Sequence, residues 1–185
     1  MVETEQQLLD AIHRGDRQAL RRLYDRYSAY VMAISLRYIH DREDVKDVMQ
    51  ECFIKIFNSI NGFNYRGEGS LKGWVSTVVV NQTIDWVTAH EKMHLVIERP
   101  LEMPEPIDEE PPDIEKVPPE VLNRMIGRLP AGFRLVLNLY VFEKLSHKEI
   151  AQRLGIKEMS SASQFSRAKT LLKKMIDDYL NSEGI

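Results

Sequence analysis

Seven of the eight prolines of this chain stand in one stretch, ERPLEMPEPIDEEPPDIEKVPP, at residues 98–119. A segment so rich in proline lacks the backbone donors a helix needs, and its acidity opposes collapse into a core. Whatever folds must therefore lie on either side of it. Residues 96–117 carry eight acidic side chains against two basic ones and read as an extended linker between residues 1–95 and 118–185. In a polyproline-like state of about 3.1 Å per residue the linker reaches on the order of 65 Å, enough to hold two domains well apart.

A chain of 185 residues, 43% apolar and 29% charged, can bury one ordinary core or two small ones. No apolar run approaches the roughly 18 residues that span a bilayer. The opening Met1–Gln7 is acidic and polar where a signal peptide is basic and then apolar. The expectation is a soluble, cytoplasmic protein with no membrane insertion. The single cysteine, Cys52, lies in an apolar helical pattern and has no intrachain partner, which suits a buried thiol in a reducing compartment. The net charge of -3 argues against a nucleic-acid partner only until it is divided: residues 1–95 hold 12 basic and 13 acidic side chains, residues 118–185 hold 11 and 7. The acid is concentrated in the linker, and the C-terminal part is basic.

The N-terminal part reads as four helices. Thr4 and Gln7 form a capping box ahead of Leu8, Leu9 and Ile12, Gly15 closes the first helix, and Asp16 caps the second. The second runs on Leu20, Leu23, Tyr24, Tyr27, Val31, Ile34 and Tyr38. Asp41 opens a third, with Val45, Val48, Met49, Cys52, Phe53, Ile56, Phe57 and Ile60 on one stripe. The loop NGFNYRGEG follows, and Ser70 is expected to cap a long fourth helix whose core side is Trp74, Val75, Val78 and Trp86. In the C-terminal part, Pro118 and Pro119 start a helix on Leu122, Ile126 and Leu129. Pro130 breaks it, and an apolar helix spans Phe133 to Phe142. In SHKEIAQRLGIKEMSSASQFSRAKTLLKKM, Ser146 and Glu149 make a capping box, Ala151 and Leu154 face inward, Gly155 ends the helix and Ser160 starts another. Two helices joined by such a turn form a helix-turn-helix, whose second helix can enter a major groove. No segment alternates as a strand does, so the chain reads as all-α.

The third helix carries a second signal. Opposite its apolar stripe, Asp47, Gln50, Glu51, Ile54 and Asn58 recur at three- and four-residue steps. This is either a solvated face with one isolated apolar residue or a docking face with an apolar anchor.

The ordered blocks LLDAIHRGDRQALRRLYDRY, EDVKDVMQECFIKIF, LKGWVSTVVVNQTIDWV, the proline-rich linker and SHKEIAQRLGI together resemble an extracytoplasmic-function sigma factor of the sigma-70 family, across nearly the whole chain. A helix-turn-helix alone is common; the ordered set is specific. The resemblance implies two helical domains, a sigma-2-like one at 1–95 that binds core RNA polymerase and the -10 promoter element, and a sigma-4-like one at 118–185 that binds the -35 element. It implies a transcription initiation factor that is not an enzyme, with no cofactor, metal or catalytic residue of its own. Its partners would be core RNA polymerase, promoter DNA and an inhibitory anti-sigma factor, free or membrane-bound.

On this resemblance the face around Ile54 docks on the clamp helices of polymerase, with Ile54 as anchor and Asp47, Gln50, Glu51 and Asn58 about it. The fourth helix turns Thr77, Asn81, Asp85, Thr88 and Lys92 towards the -10 element. Opening DNA costs a few kcal/mol that contacts to unpaired bases must offset. Asn81 can bond a base edge, while Phe63, Asn64, Tyr65 and Arg66 of the preceding loop can stack on or surround an extruded base. Asp85 either joins these contacts or orients its neighbours. Related sequences usually end this helix in several arginines; here it runs TAHEKMH, so phosphate grip should be weaker or lie elsewhere. The linker is either a spacer or, as it passes through polymerase, a mimic of nucleic-acid charge.

The last helix has a core stripe of Phe165, Ala168, Leu172 and Met175 or Ile176, leaving Ser160, Ser163, Ser166, Arg167 and Thr170 outward. By resemblance these meet the -35 element together with Ser161, Ala162 and Gln164. Ala162 and Gln164 stand where related sequences are often basic, and Ser161 where they are usually aliphatic. Arg167 leads, either as a base contact or as a phosphate contact, with Lys169, Lys173 and Lys174 available for phosphates.

Two rival readings remain. His90-Glu91-Lys92-Met93-His94 matches H-E-x-x-H, the helical zinc site of metalloproteases. Its third ligand would have to be Glu98 or Glu102, and a proline-rich linker supplies no walled cleft. A helix-turn-helix regulator acting alone explains residues 118–185 but leaves the faces around Ile54 and Asn81 without a task.

Overall fold

The computed structural model describes residues 3–91 and 114–183. Lys92, His94 and most of the expected linker, residues 96–113, lie outside the described residues. All regular structure among the described residues is helical, and the chain divides into two compact units, Met1–Trp86 and Val87–Ile185.

The first unit is built from α1 (Glu5–His13), α2 (Arg17–Tyr38), α3 (Arg42–Ser59), a 3-10 turn at Ile60–Gly62, and α4 (Ser70–His90), near whose C-terminal end the division falls. The caps read from sequence are present. Thr4 and Gln7 bond reciprocally, Asp16 accepts from the Gln18 N–H at 2.9 Å, and Asp41 accepts from the Glu43 N–H at 2.7 Å. Each satisfies donors that a helix start leaves without partners. Between these ends Leu8, Leu23, Val31, Tyr38, Val48, Cys52, Ile56 and Leu71 are buried. Burial pushes the Cys52 thiol up to about 12, so it packs as a small apolar group.

The start of α4 differs from expectation. Ser70 is its first helical residue, with its hydroxyl donating to the Gly67 carbonyl at 2.6 Å. The cap arrives from α1. The Glu5 carboxylate, 2% exposed, accepts from the N–H groups of Gly69 (2.9 Å), Leu71 (3.0 Å) and Lys72 (3.1 Å) and from the Tyr27 hydroxyl at 2.8 Å. A buried anion at a helix N-terminus answers both the free donors and the dipole. Burial acts to raise the pKa of Glu5, but the bonds from Tyr27, Leu71, Lys72 and Gly69 outweigh it and hold the group below its ordinary value of 4.5. The same environment pushes the Tyr27 phenol upward, first through burial and then through Glu5.

The second unit contains a 3-10 turn at Ile114–Lys116, then α5 (Pro119–Gly127), α6 (Ala131–Val141), α7 (His147–Leu154) and α8 (Glu158–Glu183). Pro118 and Pro130 stand at the N-caps of α5 and α6, where a missing N–H costs nothing. One core cluster joins Ile126, Leu129, Phe133, Leu137 and Ala168, with Phe165, Leu172 and Met175 packed on it. A second joins Met125 and Ile176 to Val117. The last residues of the expected linker are thus part of the fold, because an apolar side chain directly before Pro118 finds room between α5 and α8. The buried Arg134 guanidinium donates to the Gly127 and Leu129 carbonyls at 3.0 and 2.9 Å and so closes the C-terminal end of α5. Gly155 takes a left-handed φ of 66° and ends α7, as its position suggested. Helix α8 begins at Glu158, two residues before the expected Ser160.

Two stability outcomes follow from these ends. Glu5→Gln should lower the stability of the first unit by about 1–3 kcal/mol, measured by urea unfolding at neutral pH. Because the folded pKa of Glu5 is lowered, its contribution is present above pH 4.5 and is lost as pH falls through the folded value. The acid limb of the wild-type stability curve should therefore be shallower in Glu5→Gln. Gly155→Val, forced into the left-handed region, should cost the second unit about 1–2 kcal/mol, read by thermal melting of the full chain.

Candidate functional site

On α3 the predicted face is open. Asp47, Gln50, Glu51 and Asn58 are exposed, and Ile54 is 59% exposed, which the core does not require. One end of this face is also fastened to α4: the Gln82 amide donates to the Glu51 carboxylate, and Lys55 lies 4.0 Å from Asp85. Glu51 and Asp85 therefore help hold α3 to α4, and of the two roles foreseen for Asp85 the orienting one has a visible partner.

The loop between α3 and α4 displays its side chains unevenly. Phe63 packs on Trp74 with ring centroids 5.2 Å apart, and the Tyr65 hydroxyl approaches Glu68 at 3.4 Å. The Tyr65 phenol is raised by desolvation and by the Glu68 charge. Asn64 and Arg66 are exposed. On α4, Thr77, Asn81, Asp85 and Thr88 are all exposed. The Thr77 hydroxyl donates to its own helix at Gly73 (3.1 Å), whereas the Asn81 amide makes no hydrogen bond among the described residues. Of the expected core side only Val75 is fully buried; Trp74, Val78 and Trp86 are half-buried, and Leu71, Val79, Val80, Ile84 and Val87 complete the inner surface. Large indoles weighed too heavily in the sequence reading, since their rings seldom bury completely.

On α8, Ala162 and Ser163 are exposed and Ser160, Ser166, Arg167 and Thr170 are half-exposed. Two members of the proposed set are corrected. Ser161 is 0% and Gln164 4% exposed, and neither can reach a groove from there. They stand seven and four residues before Ala168, so helical period places them on its inward stripe. The Ser161 hydroxyl meets His147 Nδ1 at 3.0 Å, and the His147 ring is stacked on Tyr140 at 4.7 Å beside Phe165. Sequence reasoning missed this cluster, which braces α7 against α8. Arg167 holds no ion pair among the described residues. Lys173 is paired with Asp177 at 3.1 Å and the Lys169 ammonium lies 5.1 Å from the Phe165 ring centre, leaving Lys174 the least engaged of the three lysines.

Only His90 and Glu91 of the H-E-x-x-H tract fall among the described residues. His90 is the exposed end of α4, Lys92 and His94 are outside the described residues, and among the described residues no three His, Cys, Asp or Glu side chains gather to hold a metal. No described helix is long and apolar enough to cross a membrane.

Comparison with known proteins places two family regions along the chain. Residues 23–93 match Sigma-70 region 2 and residues 120–172 match Sigma-70, region 4. The RNA polymerase sigma-H factor of Pseudomonas aeruginosa is 26% identical over 193 residues, covering 96% of each chain. The ECF RNA polymerase sigma-E factor of Haemophilus influenzae is 28% identical over 183 residues, covering 94% of this chain and 95% of that protein. The corresponding sigma-E factor of Escherichia coli K12 is 25% identical over 183 residues and 94% of each chain. The solved structure of CnrH in complex with the cytosolic domain of CnrY covers 92% of this chain and 96% of that one at 19% identity, with a TM-score of 0.49. With regions 2 and 4 both matched in order, on the two units that carry the α3–α4 surface and the helix-turn-helix, the chain belongs to the sigma-70 family of RNA polymerase sigma factors, in its extracytoplasmic-function group.

Proposed function

We propose that this chain directs core RNA polymerase to specific promoters and assists initiation there, with residues 1–95 gripping polymerase and the opened -10 region and residues 118–185 reading the -35 duplex. The observation that carries the reading is the pairing of two faces on one α3–α4 platform. An exposed isoleucine stands amid polar residues on α3, and an unengaged amide, Asn81, stands on α4, with a helix-turn-helix in the same chain. A regulator acting alone has no use for the first two.

Ile54 is the apolar anchor for polymerase and Asp47, Gln50, Glu51 and Asn58 are its rim. Asn81 bonds an unpaired base of the -10 element, with Phe63, Asn64, Tyr65 and Arg66 about an extruded one. Thr77, Asp85, Thr88 and Lys92 border that path. Ser160, Ala162, Ser163, Ser166, Arg167 and Thr170 face the -35 groove, without Ser161 and Gln164. The acidic, proline-rich stretch before Ile114 joins the two sites along the chain. No residue of this chain is assigned a catalytic role; nucleotide chemistry and its metal ions belong to the polymerase core. An inhibitory anti-sigma protein would act by covering these same polymerase- and DNA-facing surfaces.

Ile54→Glu should weaken binding to core polymerase at least tenfold without lowering the melting temperature, since Ile54 is exposed; competition against wild type for core measures it. Unchanged binding would reject the docking face. Asn81→Ala should slow promoter opening by about tenfold with core binding intact, followed by a fluorescent base in the -10 region. Arg167→Ala should cost about 1–3 kcal/mol on one -35 sequence but not its mismatched variant if it reads guanine. As a phosphate contact its loss should instead weaken all sequences alike and reduce the salt slope by about one. Titration of the holoenzyme on both duplexes at several salt concentrations separates the two.

A further inference from the structure

The Glu5 carboxylate is saturated by four donors. Oε1 takes the Tyr27 hydroxyl and the Lys72 N–H, and Oε2 takes the N–H groups of Gly69 and Leu71. A return bond runs the other way, because the Glu5 N–H donates to the Glu68 carboxylate at 3.2 Å. Glu68 also receives the Arg26 guanidinium at 3.3 Å and the Tyr65 hydroxyl at 3.4 Å, and Arg26 donates to the Glu3 carbonyl at 2.9 Å. The closing end of the α3–α4 loop and the first turn of α4 are thus bound to α1 and α2 by two carboxylates. That end needs fastening. Gly67 and Gly69 take φ values of 117° and 91°, with open space where a Cβ would stand, so neither packing nor side-chain sterics fixes the backbone there.

We propose that Glu5 is a positioning residue for promoter opening. Its carboxylate sets where α4 begins and, through Gly69 and the Glu68 return bond, fixes the loop that presents Phe63, Asn64, Tyr65 and Arg66. A loop held in its receiving shape before DNA arrives loses less freedom on capturing a base. The inference rests on the reading of that loop as the -10 contact, and it assigns part of the recognition to a residue buried beneath it, outside the DNA-facing surface.

Glu5→Gln tests it gently. With the amide nitrogen at the Oε1 position, the Tyr27 hydroxyl can turn to accept, and only the Lys72 N–H is stranded; the negative charge at the α4 N-terminus is nevertheless gone. Holoenzyme carrying full-length Glu5→Gln is compared with wild type, at a temperature where both are folded by circular dichroism. Three quantities are read: competition for core polymerase, affinity for a -35 duplex, and affinity for a single-stranded -10 oligonucleotide together with the opening rate. The expected result is a loss of about tenfold in oligonucleotide affinity and opening rate, with the first two unchanged. Glu68→Gln, which leaves the Glu5 carboxylate in place, should show a smaller loss confined to the same readouts. Opening and oligonucleotide binding within twofold of wild type in both variants would overturn the proposal, as would a uniform fall in all three quantities. Asn64→Ala and Arg66→Ala separate the levels. If they slow opening and Glu5→Gln does not, only the positioning role fails; if they leave opening unchanged, the loop reading fails and takes the Glu5 role with it.

Discussion

The first unit depends on an anion buried where two helices start. Helix α4 begins after a glycine-bearing loop with no capping side chain of its own in front of it, and the Glu5 carboxylate from α1 supplies the missing acceptor. An unsatisfied cluster of buried N–H groups at that point would cost several kcal/mol. The remedy is long-range, so the N-terminal helix, the loop and the helix that carries Asn81 form one cooperative object. The faces around Ile54 and Asn81 inherit their relative placement from it, with Gln82 and Glu51 joining α4 to α3 further along.

The second unit solves a similar problem with different chemistry. Its helix-turn-helix is set by the left-handed Gly155, by the apolar stripe through Ala168 and Ile176, and by the contact of His147 with Ser161. This polar pair joins the first turn of α7 to α8, and stacking of His147 on Tyr140 keeps the ring in place. That small cluster helps hold α7 against α8.

Much of this was legible in the sequence because the signals are local. Thr4 with Gln7, Asp16, Asp41, and Ser146 with Glu149 act on donors two or three residues away, and Gly155 acts on itself. The stripe of α3 separated Ile54 from the core by period alone. What escaped the reading was either distant or a matter of phase. Glu5 looks like an ordinary first-turn acid, and nothing near it tells that its carboxylate bonds Gly69, 64 residues on. Ser161 and Gln164 entered the -35 set by resemblance alone, and the phase set by Ala168 turns them in. Val117 ends an acidic, proline-rich run yet docks on Met125 and Ile176, because a single apolar side chain beside a proline cap is invisible to averages over a window.

The central claim is that the two units act together on a promoter through polymerase. It is tested most directly by transcription from random promoter fragments with core RNA polymerase of the source organism, with and without this protein, followed by sequencing of the transcript starts. New starts that share two spaced upstream elements are expected, and they should become fewer when α8 is altered at Arg167 or α4 at Asn81. Tight, specific duplex binding by the protein alone, with no new starts from active core, would contradict it.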